Sequence, residues 1–277
     1  LLSATFFTVA SAQTPAKEKS ILIQYATAHL GNGEVIENAL MVIQGNEITM
    51  LASGNNARIN ILDYDSIING EGKHIYPGFI IMDSRLGLVE IEAVRATHDF
   101  DETGDLTPNV RALPAFNSES KVIATVKTNG VLMAQIAPSG GVLSGTSSCV
   151  HFNGKNWKDA TVRTDEGVYL NWPSRYQYKG WWAEPGDAKS NKKYSEQQSD
   201  ILEYFAEARA YHQDSASKKV NLRFESMKGL FAGKKRLYVR ANWAKDILDV
   251  VQFLHESGVK KYAIVGGSEA HLVTTEL

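Results

Sequence analysis

The stretch RLYVRANWAKDILDVVQFLHESGVKKYAIVGG, residues 236–267, restricts the possible folds more than any other part of the chain. A β-rich run, RLYVRA, passes into an amphipathic segment that Gly258 stops, and a second run, YAIVGG, follows at once. Strand, helix and strand at this spacing predict a right-handed βαβ unit, with parallel strands and the helix outside. SEAHLVTTEL then begins another helix, with Ser268 as its N-cap.

Related patterns occur upstream. GFIIM, after Pro77-Gly78, is continuously apolar, as in a strand buried on both faces, and GVLMAQIAPSGG joins a strand to a glycine-rich turn. YSEQQSDILEYFAEARAYHQ places Ile201, Leu202, Phe205, Ala208 and Tyr211 at helical spacing, with Ser195 and Gln198 as a capping box. Between Ile21 and Lys73, short alternating runs with Gly-Asn punctuation predict hairpins instead. The expected fold class is α/β: a small β-domain over residues 21–74, then a (β/α)8 TIM-type barrel over residues 75–277. Strands near residues 78, 131, 147, 222, 238 and 263 supply six of the eight that a barrel needs, so the barrel is expected to be incomplete at its C-terminus.

A chain of 277 residues, 43% hydrophobic and 22% charged, can bury a substantial core. Its formal net charge of -2 gives no electrostatic reason to expect nucleic acid or an anionic membrane as a partner. The opening LLSATFFTVASAQTPA is an apolar run ending in Ala10-Ser11-Ala12, the small-x-small pattern of a cleavage site. Residues 1–12 therefore read as a signal peptide of an exported, periplasmic or secreted protein, with a frayed N-terminal tail as the plainer alternative. No later segment approaches the ~20 apolar residues of a membrane span. Cys149, the single cysteine, excludes an internal disulfide and reads as a small packed residue.

Taken in order, GNEI, GEGKHIYPGFI, GGVLSGTSS, RLYVRANWAKDIL and IVGGSEAHLV resemble the amidohydrolase superfamily, in its imidazolonepropionase-like branch. The likeness runs over most of residues 21–277. It implies a composite β-sandwich domain before a barrel, and hydrolysis of amide or other C–N bonds at the carboxyl ends of the strands. It also implies zinc or another divalent metal, held first by a His-x-His pair after the PGFID strand. Here Asp83 and Arg85 stand at those positions, and a guanidinium cannot ligate a cation. Where relatives carry VHAH this chain has VRAN, with Arg240 and Asn242, and where they carry IVHG it has IVGG, with Gly266. No intact metal site is expected. Asp83, Arg85 and Arg240 are expected at the barrel mouth, either as an ion-pair cluster replacing the metal's charge or as a plain salt bridge.

Other candidates keep two readings each. His151 and His271, near strand ends, suit acid–base or anion-binding work or simple packing. APSGGVLSGTSS could cradle a carboxylate on its amides or merely close a strand pair. The segment 171–200, with Trp172, Tyr176, Tyr178, Trp181 and Trp182, could bind a ligand or partner or pack over helices. The acidic run HDFDETGD lacks the spacing of a calcium loop and reads as a solvated turn. No nucleophile elbow, P-loop or dinucleotide fingerprint occurs. Two function classes remain: a hydrolase of amide, lactam or dipeptide-like C–N bonds, possible without metal, and a catalytically inactive relative. The second would bind a small molecule or pair with a metal-complete amidohydrolase, and either could form a homo-oligomer.

Overall fold

The computed structural model describes residues 18–178, 180, 183–184, 186–214 and 219–277, so the expected signal segment, Trp181 and Trp182 lie outside the described residues. The chain divides after Pro77 into two compact units. The first is a sheet of β1 (Ser20–His29), β2 (Val35–Gln44), β3 (Glu47–Ser53), β4 (Ser66–Asn69) and β5 (His74–Ile75). Its order is β3-β2-β1-β4, with β5 also on β1. The β1–β2 and β2–β3 pairs are antiparallel, in keeping with the hairpin pattern, whereas β4 and β5 run parallel to β1. One five-stranded sheet is seen among the described residues where a sandwich was expected.

The second unit contains β6 (Phe79–Ser84), α1 (Lys121–Thr128), β7 (Val131–Ile136), β8 (Leu143–His151) and β9 (Thr161–Asn171). A small hairpin of β10 (Tyr176–Tyr178) and β11 (Ala188–Ser190) follows, then α2 (Tyr194–Gln213) and α3 (Leu222–Phe231). β12 (Arg236–Ala241), α4 (Ala244–Ser257) and β13 (Tyr262–Gly266) complete it. Six strands form one sheet in the order β13-β12-β9-β8-β7-β6. Three of its five pairings, β6–β7, β9–β12 and β12–β13, are parallel with helices between the strands, but β8 is antiparallel to both β7 and β9. The all-parallel expectation is thus corrected at β8, because Gly140 and Gly141 take positive φ and turn the chain straight back from β7.

Three other local expectations change. The strand expected near residue 222 is helix α3, started by Asn221, whose Oδ1 accepts from the amides of Arg223 and Phe224. At α2 the expected capping box does not form: Lys193 is the N-cap and Ser195 lies inside the helix. After β13, the expected helix is only a 3-10 turn, Ala270–Leu272, with Glu269 rather than Ser268 at its N-cap.

Alternation along the strands sorts the side chains onto two faces. Val168 and Leu170 of β9 and Leu237 and Val239 of β12 join Phe205, Met227, Leu230, Ile247, Val250 and Phe253 in one buried cluster beneath α2, α3 and α4. Phe205 meets Phe253 edge-on, with ring centroids 5.0 Å apart. On the opposite face Tyr169 and Tyr238 stack at 4.9 Å. No helix among the described residues is long and apolar enough to cross a membrane.

Phe205 is fully buried, so Phe205→Ala leaves a cavity and should lower the unfolding free energy of the chain by about 3–5 kcal/mol. Urea unfolding followed by circular dichroism checks this, and a loss below about 1 kcal/mol would contradict the packing described.

Candidate functional site

Arg240, on β12, reaches Asp83, on β6, across three intervening strands. Its Nη2 donates to Asp83 Oδ1 at 2.5 Å and its Nε to Asp83 Oδ2 at 3.3 Å. In a flat sheet four strand spacings would separate the two backbones by ~19 Å, beyond the reach of both side chains together. The sheet therefore curls, and this face is its concave interior. Arg240 also donates to Pro138 O at 3.0 Å and to Asn171 Oδ1 at 3.1 Å, and its guanidinium lies 4.3 Å over the Tyr169 ring. Asn171 in turn donates to Ser144 Oγ and to the carbonyls of Gly140 and Gly141.

Further into the curl a second set of groups is joined to the first. Gln135 Oε1 accepts from the Asp83 amide at 3.2 Å and from the Tyr169 hydroxyl at 2.8 Å. Gln135 Nε2 donates to Glu166 Oε1, which also accepts from Ser147 Oγ at 2.8 Å, while Tyr238 donates to Glu166 Oε2 at 3.0 Å. Burial above all, then the nearby Asp83 carboxylate, pushes the Tyr169 hydroxyl far above the ordinary phenol range. Tyr238 is raised by burial and then by Glu166.

The expected site residues do not all arrive together. Asp83 and Arg240 do, on the carboxyl ends of parallel strands. Arg85 does not: Asp83 has φ +51° and the register with β7 shifts between Ile81 and Ser84, so strict alternation ends before residue 85. Arg85 instead lies 4.5 Å over the Phe100 ring. His151 is also misplaced by the expectation, because β8 runs backwards and pairs His151 with Met133 near the start of β7. Its ring nitrogens are engaged locally, with Asp159 O and the Asn153 amide. His271 is exposed in the 3-10 turn after β13. Asn242 Oδ1 accepts from Ser268 Oγ at 3.2 Å and leaves no room for a Cβ on Gly266, which has φ +90°.

A cavity of about 160 Å3 adjoins the cluster, sharing Pro138 and Ser144 with its surroundings and lined by His98, Asp99, Asp101 and Arg111. Asp101 packs on Gly140 so closely that no Cβ would fit there. The acidic run thus folds back on the glycine turn, with the Asp101 carboxylate against Gly140. Trp172 is buried and donates to the Tyr194 hydroxyl at 3.1 Å, a packing role, while Tyr176 is exposed. Cys149 is partly buried and its thiol is raised, chiefly by burial, which keeps it in the unreactive form.

Among solved structures, an amidohydrolase from Thermotoga maritima MSB8 superposes with a TM-score of 0.78 at 20% identity, over 92% of this chain and 66% of that one. The fold is of the amidohydrolase type. The chain spans just under two thirds of the length of that protein. An ochratoxinase from A. niger matches more loosely, with a TM-score of 0.36 at 13% identity over 94% of this chain and 59% of that one. No family model and no curated protein sequence matches.

The strand ends of this amidohydrolase-type fold do not suit the divalent metal that the resemblance implies. Among the described residues no group of three or more His, Cys, Asp or Glu side chains could hold an ion. Asp83, the one carboxylate at these tips, is held by two nitrogens of Arg240, Asn171 turns its oxygen to the same guanidinium, and Gly266 has no side chain. An ion placed here would sit against a fixed positive charge.

Gln135, Glu166, Tyr169, Asn171 and Tyr238 were not singled out from the sequence. For Tyr169, Asn171 and Tyr238 the signal was present in GVYLN and LYVRA, where outward Val168, Leu170, Leu237 and Val239 oblige the alternate residues to face inward, whereas Gln135 and Glu166 lie outside these runs.

Two outcomes are expected. Asp83→Ala and Arg240→Ala should each destabilise the chain by about 1–3 kcal/mol, between exposed and fully buried pairs because both side chains keep roughly a quarter of their surface. A double-mutant cycle in urea should return most of that loss as coupling. Phenolic protons leave the unfolded chain near pH ~10 but are held by folded Tyr169 and Tyr238. The unfolded state then binds fewer protons, so stability falls as pH rises above that point. Tyr169→Phe, which leaves Gln135 Oε1 its bond from Asp83, should make the fall in urea midpoint between about pH 9 and about pH 11 shallower.

Proposed function

We propose that the chain belongs to an amidohydrolase-superfamily hydrolase of the imidazolonepropionase-like branch, built on a (β/α)8 barrel behind a composite β-sandwich. It acts on C–N bonds of non-peptide amides, lactams or dipeptide-like substrates. The reading rests on the likeness in fold over 92% of the chain. Export to the periplasm or medium belongs to the same proposal, on the strength of the opening segment alone.

The chemistry falls to side chains. Arg240 has five N–H donors, of which Asp83, Asn171 and Pro138 engage four, leaving one on Nη1 to polarise a substrate carbonyl. Asp83, partly exposed and fixed by that guanidinium, takes a proton from water as its oxygen attacks the carbonyl carbon. The proton then passes to the leaving nitrogen as the C–N bond breaks.

A second reading has its own support. Asp83 and Arg240 satisfy each other and are tied to Gln135, Asn171 and Pro138 without any ligand, as in a catalytically inactive relative that binds a small molecule or a metal-complete partner.

The full chain, assayed against amides, lactams and dipeptides with chelator and with added zinc or manganese, separates these. Chelator-insensitive turnover that drops by roughly 10²–10⁴-fold in Asp83→Asn supports the hydrolase. Absence of turnover in a folded chain supports the inactive relative, and stoichiometric zinc held by three or four side chains would refute the strand-end chemistry.

A further inference from the structure

A cavity of about 480 Å3 opens at the amino end of α4, within the size range of small-molecule sites. It shares no residue with the strand-end cluster or the smaller cavity beside it. Tyr176 and Trp243 both line it and remain 49% and 39% exposed, so two large aromatic side chains stand partly open at one cavity. Arg175 and Lys245 line it from the positive side, Asp246 and Glu269 from the negative.

The polar groups are unevenly satisfied. Asp246 is 2% exposed, yet its Oδ1 accepts no hydrogen bond among the described residues and only faces Arg175 Nε at 3.5 Å, an atom likewise without an acceptor. Burial above all raises this carboxylate. Arg175 is itself committed to Asp249. α4 runs for 14 residues, and Trp243 at its N-cap offers no side-chain bond. Glu269 Oε2 accepts from the Ala244 amide at 2.8 Å, while the amides of Lys245 and Asp246 have no acceptor within the helix.

A simple anion would find the helix start and Lys245 but would also face two carboxylates; a simple cation would meet the reverse. A molecule with both charges close together meets neither penalty. We propose that this cavity binds a free α-amino acid with an aromatic or bulky apolar side chain. Its carboxylate sits at the first-turn amides and Lys245, its ammonium faces Asp246 and Glu269, and its side chain lies between Tyr176 and Trp243. This site stands apart from the hydrolase reading: failure of either leaves the other in place.

The test is calorimetric titration of the full chain with L-phenylalanine, and with phenethylamine and 3-phenylpropionate, which lack one charge each. L-phenylalanine should bind, and each analogue should bind at least about 10-fold more weakly, as expected for loss of one charged hydrogen-bonding group. Trp243→Ala, at an exposed position, should weaken binding by a similar factor, and Lys245→Ala should erase the preference over phenethylamine. No binding at about 10 mM, equal binding of either analogue, or unchanged affinity in folded Trp243→Ala would overturn the proposal.

Discussion

The contact between Arg240 and Asp83 ties together strands four spacings apart in the six-stranded sheet. It joins the second strand of the sheet order to the last, so it can exist only if the sheet curls, and it gives each of two partly buried charges an opposite partner. Tyr169 lies under the guanidinium, Asn171 and Pro138 hold its remaining edges, and Gln135 ties the Asp83 backbone to the deeper layer. The interior mixes this polar network with a small apolar cluster of Ala137, Tyr169, Tyr238, Ala263 and Val265. Such a network is rigid when complete and costly when broken.

The outer face obeys simpler physics. β9 and β12 turn their alternate Val and Leu residues to helices α2, α3 and α4, whose apolar stripes close over them. The helices stabilise the sheet from outside without dictating what its concave side carries. An amidohydrolase-type backbone can thus hold an arginine–aspartate pair at its strand ends.

Much of the framework was legible in the sequence because long periodic segments leave few choices. RLYVRA and the helix of residues 194–213 appear with the expected bounds, and the helix after RLYVRA and the strand YAIVGG within one residue of them. Features decided by one backbone angle were not. Positive φ at Gly140 and Gly141 reverses β8 and carries His151 to the wrong end, and positive φ at Asp83 releases Arg85 from the cluster. Asn221 nucleates α3 through two amide bonds that residue type alone did not single out. Within the site, Asp83 and Arg240 were recognised by resemblance and Tyr169 could have been read from alternation in GVYLN, whereas Glu166 and Gln135 belong to it through contacts across strands, which no single run of residues records.

Gly266 carries a further consequence. Its φ of +90° strains any L side chain placed there, and the Asn242 oxygen would stand inside van der Waals contact of an added Cβ. A donor group built onto that strand tip would therefore require a strained backbone and also a turn of the Asn242 side chain away from Ser268. Positions 242 and 266 are coupled, and a change at one is felt at the other.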